Sequence, residues 1–325
     1  MLPASSGENM KAVQYADYGG PENLKIVDLP VPKPSSTELL IRVIASSVNP
    51  VDWKLASGKF KYIMPIPRPA VPGFDVVGEV LQVGAEMTGF EPGQRVVARL
   101  DSKTGGACAE QCVVSRAQAV LLPSEIDAAD GAALPLAGMT ALQALRDDCD
   151  MKMSGSNDRV LIIGASGGVG HYAVQLAALA GAHVTGVCST RNLSLVKELG
   201  AHEVIDYRRR SDFDTGEPYD IIVDCAGKAE WKAFDACLAP DGKVSTPAPH
   251  MGWIPRLLAM KLFGKRRLTA TMLKPNAADL QILVDLMAQG KLRSVIGAKF
   301  GLESLSQAWQ ANIKGGVQGK IVIEA

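Results

Sequence analysis

The rhythm of apolar positions changes along the chain. From Met10 to about Leu122 apolar residues come in short runs or alternate with polar ones, broken by Gly and Pro. ELLIRVIASSV sets Leu39, Ile41, Val43 and Ala45 on one face of an extended strand. GFDVVGEVLQVG and GQRVVARL read as further short strands bounded by glycines. From about Gly131 to Lys274 the rhythm becomes one of strands separated by helices. RVLIIG, HVTGVC, EVIDY, DIIVDCAG and GKVSTP are compact apolar runs, and RLTATMLK is a candidate sixth. That alternation predicts a doubly wound parallel sheet, an α/β fold. The tail from Pro275 gives a helix, AADLQILVDLMAQGKL, then ESLSQAWQANIKGG, then a closing strand, GKIVIEA. The expected organisation is a β-rich domain over residues 10–130, completed by 275–325, and a parallel-sheet domain over 131–274.

Composition narrows the classes. A chain of 325 residues, 47% of them hydrophobic, is long enough for two cores. A formal net charge of +0 gives no basic face for a nucleic acid, so none is expected as a partner. Cysteines at 108, 112, 149, 188, 225 and 237 are scattered, which suits reduced thiols better than a disulfide framework. The start, MLPASSGENMKAVQY, lacks the charged-then-apolar order of a secretory signal and is too short and Arg-poor for an ordinary transit peptide. The longest uncharged stretch, Val160 to Thr190, is rich in glycine and reads as strand, turn, helix and strand rather than as a membrane span.

The candidate chemistry begins in that stretch. Val160 to Ile163 is all apolar, as a buried central strand requires. After it, Val169, Tyr172, Ala173, Leu176 and Ala180 recur at helical spacing. Between strand and helix lies GASGGVG. Ser166, Gly167, Gly168, Val169 and Gly170 are therefore candidates for a phosphate cradle, where unpaired helix amides and the helix dipole favour an anion. Gly167 and Gly168 let backbone approach the phosphates, and Gly170 lets the helix pack against the strand. Ala165 stands where the usual fingerprint has its first glycine. A glycine turn without a ligand is the plainer reading; the repeated strand–helix units around it favour a dinucleotide.

The next strand, HVTGVC, runs into Ser189, Thr190 and Arg191, with no acid to bond the ribose hydroxyls of NAD. An Arg fork and a hydroxyl suit a 2′-phosphate, so NADPH is the expected cofactor. Tyr207 can cover the adenine or bond the same phosphate, and Arg191 can alternatively be a solvated surface residue.

NPVDWK, VPGFDVVGEV, LPLAGMTALQAL, GASGGVG and a terminal GKIVIE follow one another in an order that resembles the medium-chain dehydrogenase/reductase superfamily, in its zinc-independent quinone oxidoreductase branch. Enone and alkenal reductases and plastid-envelope members stand near that branch. The likeness covers nearly the whole chain from Met10. It implies a GroES-like catalytic domain joined to a Rossmann domain, with the active site in the cleft between them. Zinc-dependent members have a ligand histidine where this chain has Phe74, and a ligand cysteine within the stretch where Asn49 and Asp52 stand. The four histidines, at 171, 183, 202 and 250, form no ligand pair, and Cys108 and Cys112 alone cannot make a four-cysteine lobe. No metal is expected.

The resemblance also implies roles. Asn49 and Lys54 face the cleft, Lys54 as a cofactor contact and Asn49 as a polar donor to the reacting centre, or equally as a turn residue before Pro50. Thr140 meets the nicotinamide side of the cofactor, Cys225 and Ala226 border its ribose, and Lys320 in GKIVIE counts as a further contact. Tyr62, in the loop KFKYIMPIPRP, is by chemistry the best candidate proton donor, against a surface anchoring role. Without zinc to steady an alkoxide, the expected reaction is hydride transfer to an enone, alkenal or quinone. A low-turnover NADPH-binding redox sensor or interaction protein is the alternative. A last segment, APHMGWIPRLLAMKLFGKRRL at 248–268, combines apolar residues with Lys261, Lys265, Arg266 and Arg267. It reads as a lid for a lipophilic substrate, a peripheral membrane contact, or a packing helix. The family implies a homodimer, and a location in the cytosol or at the chloroplast envelope.

Overall fold

A computed structural model describes residues 9–62, 64–101, 105–210, 212–227, 230–248 and 267–325. Two units divide them. The first holds the described residues up to Leu136, together with Pro275–Ala288 and Ile296–Ala325; the second holds Ala137–Lys274 and Gln289–Val295. Most of the segment 248–268 lies outside the described residues.

In the first unit β1 (Asn9–Gln14) and β2 (Lys25–Pro30) pair antiparallel. Then comes β3 (Glu38–Val48), with Leu39, Ile41, Val43 and Ala45 buried as the alternation predicts. Pro50 cannot continue a strand ladder but suits the first turn of a helix, so α1 (Pro50–Ala56) starts there. β4 (Asp75–Val83), β5 (Arg95–Arg99), β6 (Gln111–Ser115) and β7 (Ala119–Leu121) follow, then α2 (Ala128–Ala133). Leu39, Ile41, Val76, Val96 and Val114 pack into one core. The helix α3 (Pro135–Gln143) has Pro135 and Leu136 in this unit and its remainder in the other.

The second unit carries β8 (Arg159–Ile163), α4 (Gly170–Leu179), β9 (His183–Cys188), α5 (Leu193–Glu198), β10 (Glu203–Asp206), β11 (Tyr219–Asp224), α6 (Trp231–Asp235), β12 (Leu238–Thr246) and β13 (Arg267–Ala270). All six apolar runs are strands of one parallel sheet, in the order β10-β9-β8-β11-β12-β13. The order reverses at β8, whose neighbours are β9 and β11. Tyr219, Ile222, Phe234 and Val244 are buried in a core on this sheet.

The tail returns to the first unit as α7 (Ala277–Ala288), β14 (Ile296–Gly301), α8 (Leu305–Lys314) and β15 (Lys320–Glu324). β15 lies between β14 and β3 in a sheet ordered β14-β15-β3-β4-β5-β7, with β6 also on β3. The first tail helix is shorter than its pattern suggests. It stops at Ala288 because Gly290 adopts φ +66°, the left-handed turn that ends helices. The residues beyond it dock in the second unit. Gln175 Nε2 donates to the Arg293 carbonyl at 3.0 Å, Arg293 N donates back to Gln175 Oε1 at 2.9 Å, and Tyr172 Oη lies 2.6 Å from Ser294 Oγ.

Candidate active site

Dinucleotides bind at the carboxyl edge of an open parallel sheet, where strand order reverses. Here that place is the bend after β8. Gly164 N and Ala165 N both donate to the Val187 carbonyl, at 3.1 and 3.0 Å, and Gly167 N folds back to the Gly164 carbonyl at 2.9 Å. Gly164 has φ +77°, and a Cβ on Gly170 would stand 2.1 Å from the Gly164 carbonyl oxygen, so glycine is required at both. Ala165 is tolerated because its methyl turns into the core beneath Gly186, where a second Cβ would come within 3.2 Å of it.

His171 N donates to the Gly167 carbonyl, but among the described residues the N–H groups of Gly168, Val169 and Gly170 meet no acceptor. A Cβ on Gly167 would meet only that Gly164 oxygen, at 3.2 Å, and otherwise open space. Three unpaired donors at the start of a ten-residue helix, beside backbone free of side chains, fit a pyrophosphate. Ser166 Oγ accepts from Asn192 Nδ2 at 2.7 Å, which ties the bend to the turn after β9.

At the end of β9, Ser189 is buried and Thr190 and Arg191 are exposed. The neighbouring strand adds what the sequence reading of β9 alone lacks. Asp206, last residue of β10, accepts the Thr190 hydroxyl at 2.6 Å and Arg208 N at 3.0 Å, and pairs with Arg209 Nε at 3.5 Å. The Thr190 hydroxyl foremost, with these neighbours, holds the Asp206 carboxyl below its ordinary range. An acid therefore does stand on the strand beside the end of β9, and it takes the only proton of the Thr190 hydroxyl. Tyr207 is 56% exposed and is followed by Arg208, Arg209 and Arg210.

On the other side of β8, Cys225 N donates to the Ile163 carbonyl at 3.0 Å, and Asp224 Oδ1 accepts from Ala226 N and Gly227 N. This sharp turn sets Cys225 and Ala226 beside the bend. Burial pushes the Cys225 thiol well up, so it is a packing group and not a nucleophile. Thr140 is buried in α3.

The first unit holds a buried polar cluster. Asn49, the N-cap of α1, donates through Nδ2 to Asp75 Oδ2 at 2.8 Å and to the Ser47 carbonyl at 3.4 Å. Its Oδ1 accepts from the Lys320 ammonium. Lys320 also donates to the Val48 carbonyl at 3.2 Å and lies 3.6 Å from Asp75 Oδ2. Asp75 takes the Ser47 hydroxyl at 3.1 Å and, through Oδ1, Leu136 N at 3.1 Å. Arg99 is buried with its Cζ 4.8 Å from the centre of the Phe74 ring. Burial lowers the Lys320 ammonium, against the pull of Asp75 and Asp52.

The structure thus joins Asn49 to Lys320, both buried, with every polar atom of the Asn49 carboxamide engaged. Lys54 is half-buried on α1, with Nζ 5.6 Å from the Trp53 ring, and burial lowers its ammonium. Tyr62 is not gathered into the cluster: it is 89% exposed, with Lys61 Nζ 4.9 Å from its ring. Asp75, Arg99 and Asp206 are the polar groups that sequence reasoning missed. The signal for Asp75 was a lone carboxylate opening the apolar run FDVV.

Two family models match the chain: an alcohol dehydrogenase GroES-like domain over residues 35–124 and a zinc-binding dehydrogenase over 199–323. The chloroplast envelope quinone oxidoreductase homolog of Arabidopsis thaliana is 41% identical over 98% of this chain and 99% of its own. The chain belongs to the medium-chain dehydrogenase/reductase family. The NADPH-dependent alkenal/one oxidoreductase of A. thaliana chloroplasts is 36% identical over 70% of this chain and 60% of its own. The solved quinone oxidoreductase of Coxiella burnetii superposes with a TM-score of 0.86 at 31% identity, covering 98% of this chain and 100% of that one. As a medium-chain dehydrogenase/reductase this protein is an oxidoreductase, with a GroES-like fold, a Rossmann fold and a site for a nicotinamide cofactor. Several of its relatives are chloroplast proteins, and no described helix is long and apolar enough to cross a membrane. Among the described residues no group of three or more His, Cys, Asp or Glu gathers that could hold a metal ion.

Proposed function

We propose that the protein is an NADPH-dependent reductase of α,β-unsaturated carbonyls or quinones that works without zinc. The surroundings of Phe74 carry this reading. Where zinc-dependent relatives are expected to have a ligand histidine, this chain has a ring with no lone pair, with the Arg99 guanidinium over it and the Lys320 ammonium held by Asp75. An acceptor that is already electrophilic needs no Lewis acid. The names of the relatives, a quinone oxidoreductase homolog and an NADPH-dependent alkenal/one oxidoreductase, support the acceptor class and the cofactor.

When bound, the nicotinamide supplies the hydride that reduces the acceptor. The chain binds, orients and supplies a proton. The amides of Gly168, Val169 and Gly170 hold the pyrophosphate, with Ser166 and Gly167 shaping the bend. Arg191, with Ser189 and Tyr207 beside it, holds the 2′-phosphate. Thr140, Cys225 and Ala226 border the nicotinamide end, and Lys54 is the cofactor contact from α1. Asn49 and Lys320 act as positioning residues, because their polar atoms are already engaged with one another and with Asp75. Tyr62, whose hydroxyl is exposed, is the candidate proton donor. Peripheral contact with an anionic envelope membrane through Lys265, Arg266 and Arg267 belongs to the same reading, as does a homodimer. Flotation with anionic vesicles and sedimentation test these two; a protein that stays with the soluble fraction, or sediments as a monomer, removes them.

Steady-state NADPH oxidation against a panel of enones, alkenals and quinones tests the reaction, with elemental analysis of the purified protein. Turnover with at least one class and no stoichiometric zinc is expected. Tight NADPH binding with a flat response across the panel would point to a low-turnover sensor instead. One zinc per chain would refute the metal-free reading.

A further inference from the structure

Asp52 is a buried acid that the cluster in the first unit does not fully satisfy. It is the third residue of α1, 3% exposed. Its Oδ2 accepts Asn49 N at 2.6 Å and so caps the helix start. Its Oδ1 has no partner among the described residues. The contrast is Asp75, with the Ser47 hydroxyl, the Asn49 amide, Leu136 N and the Lys320 ammonium around its two oxygens. Two carboxyls share one dry cluster, and only one of them is fully solvated by protein donors.

A bare ionised oxygen in such a place costs several kcal/mol, and taking up a proton removes most of that cost. The charged and titratable groups facing Asp52 are Asp75 from β4, Arg99 from β5, Lys320 from β15, Tyr15 just after β1, and Cys108 before β6. Lys54 is the cation on its own helix. Burial is the largest influence and Asp75 adds to it, while the Asn49 N–H, Lys320 and Arg99 pull the other way; together they raise the carboxyl to about 7.

We propose that Asp52 is a proton-carrying positioning residue: with a proton on Oδ1 the carboxyl seats the start of α1, and with it Lys54, and loss of that proton unseats both. The positioning half rests on the reading that Lys54 meets the cofactor. The sign of the pH effect follows from linkage. An unfolded aspartate titrates near 3.8, and this one near 7 in the fold. Between those values the folded chain holds a proton that the unfolded chain releases. The stability Asp52 contributes is therefore greatest at the acid end and is lost as pH rises through 7.

The test compares wild type with Asp52→Asn, a neutral isostere of the protonated acid, at pH 6 and pH 8. The melting temperature of wild type should fall by about 2–4 °C more than that of the variant. The Kd for NADPH, read by nucleotide fluorescence, should rise several-fold across the same interval in wild type and stay nearly level in the variant. Parallel melting curves would overturn the proton on Asp52. A lost melting difference with unchanged NADPH affinity would overturn the positioning role alone. Lys54→Met serves as the separating control: if it leaves NADPH affinity untouched, the reading of Lys54 fails and takes the positioning role with it, while the melting arm still decides the proton. Should Asp52→Asn not fold, infrared spectra of wild type replace it. A carboxylic C=O band that fades between pH 6 and 8.5 supports the proposal, and its absence at pH 6 overturns it.

Discussion

The glycine bend of the second unit and the polar cluster of the first are built on opposite principles. The bend leaves backbone donors without acceptors among the described residues at the head of α4. Around Asn49, Asp75 and Lys320 the cluster matches donors to acceptors, far from water. Unpaired donors at an accessible helix start are tolerable only where water or an anion completes them. A matched cluster asks for no ligand and instead fixes the chain segments that meet in it. One region is made to receive something and the other to hold still.

The largest way to break this contrast is to fill the bend. Gly170→Val puts side-chain atoms against the Gly164 carbonyl, which is backbone and cannot step aside. NADPH affinity should drop more than 100-fold, on the order of 3 kcal/mol or more, with a lower melting temperature; titration calorimetry and thermal unfolding check both. Next is Lys320→Met, which strands Asp75 without its buried counter-ion. Removing one partner of such a pair costs about 3–5 kcal/mol, seen as a shifted urea midpoint. Retained stability would show that the cluster does not depend on its charges.

Arg191→Ala sharpens the other side. Losing a charge-assisted contact of about 1.5–3 kcal/mol should weaken NADPH roughly 10- to 100-fold and leave NADH nearly unchanged. Equal losses for both cofactors would move the 2′-phosphate elsewhere. The smallest effect is expected from Trp53→Phe, which removes the 2.9 Å hydrogen bond from Nε1 to Asn312 Oδ1. About 1 kcal/mol of stability should go, without a change in cofactor affinity.

The two regions were unequally legible in the sequence. The bend and the parallel sheet rest on local signals: a run of apolar residues, a glycine cluster and a helical period, all within Val160 to Ala180. The cluster could not be read that way, because Ser47, Asn49, Asp75, Leu136 and Lys320 meet only after β3, β4 and β15 have paired. Lys320 counted as a cofactor contact by resemblance, yet the fold turns its ammonium inward onto Asn49 and Val48. The end of β9 shows a similar limit. No acid directly follows β9 in the sequence, whereas Asp206 arrives from the adjacent strand, a neighbour in space rather than in order.

The route of the chain has a consequence for how the molecule is made. The six strands of the second unit are all synthesised once Ala270 has left the ribosome. The first unit must wait for β15, which slots between β14 and β3. During translation the earlier-begun half therefore stands with an open seam beside β3 after every strand of the later-begun half has been made, and once Lys274 is made the second unit itself lacks only Gln289–Val295. That exposed edge is where a nascent chain would need guarding, and where a truncation after Lys274 would leave the sheet without β14 and β15.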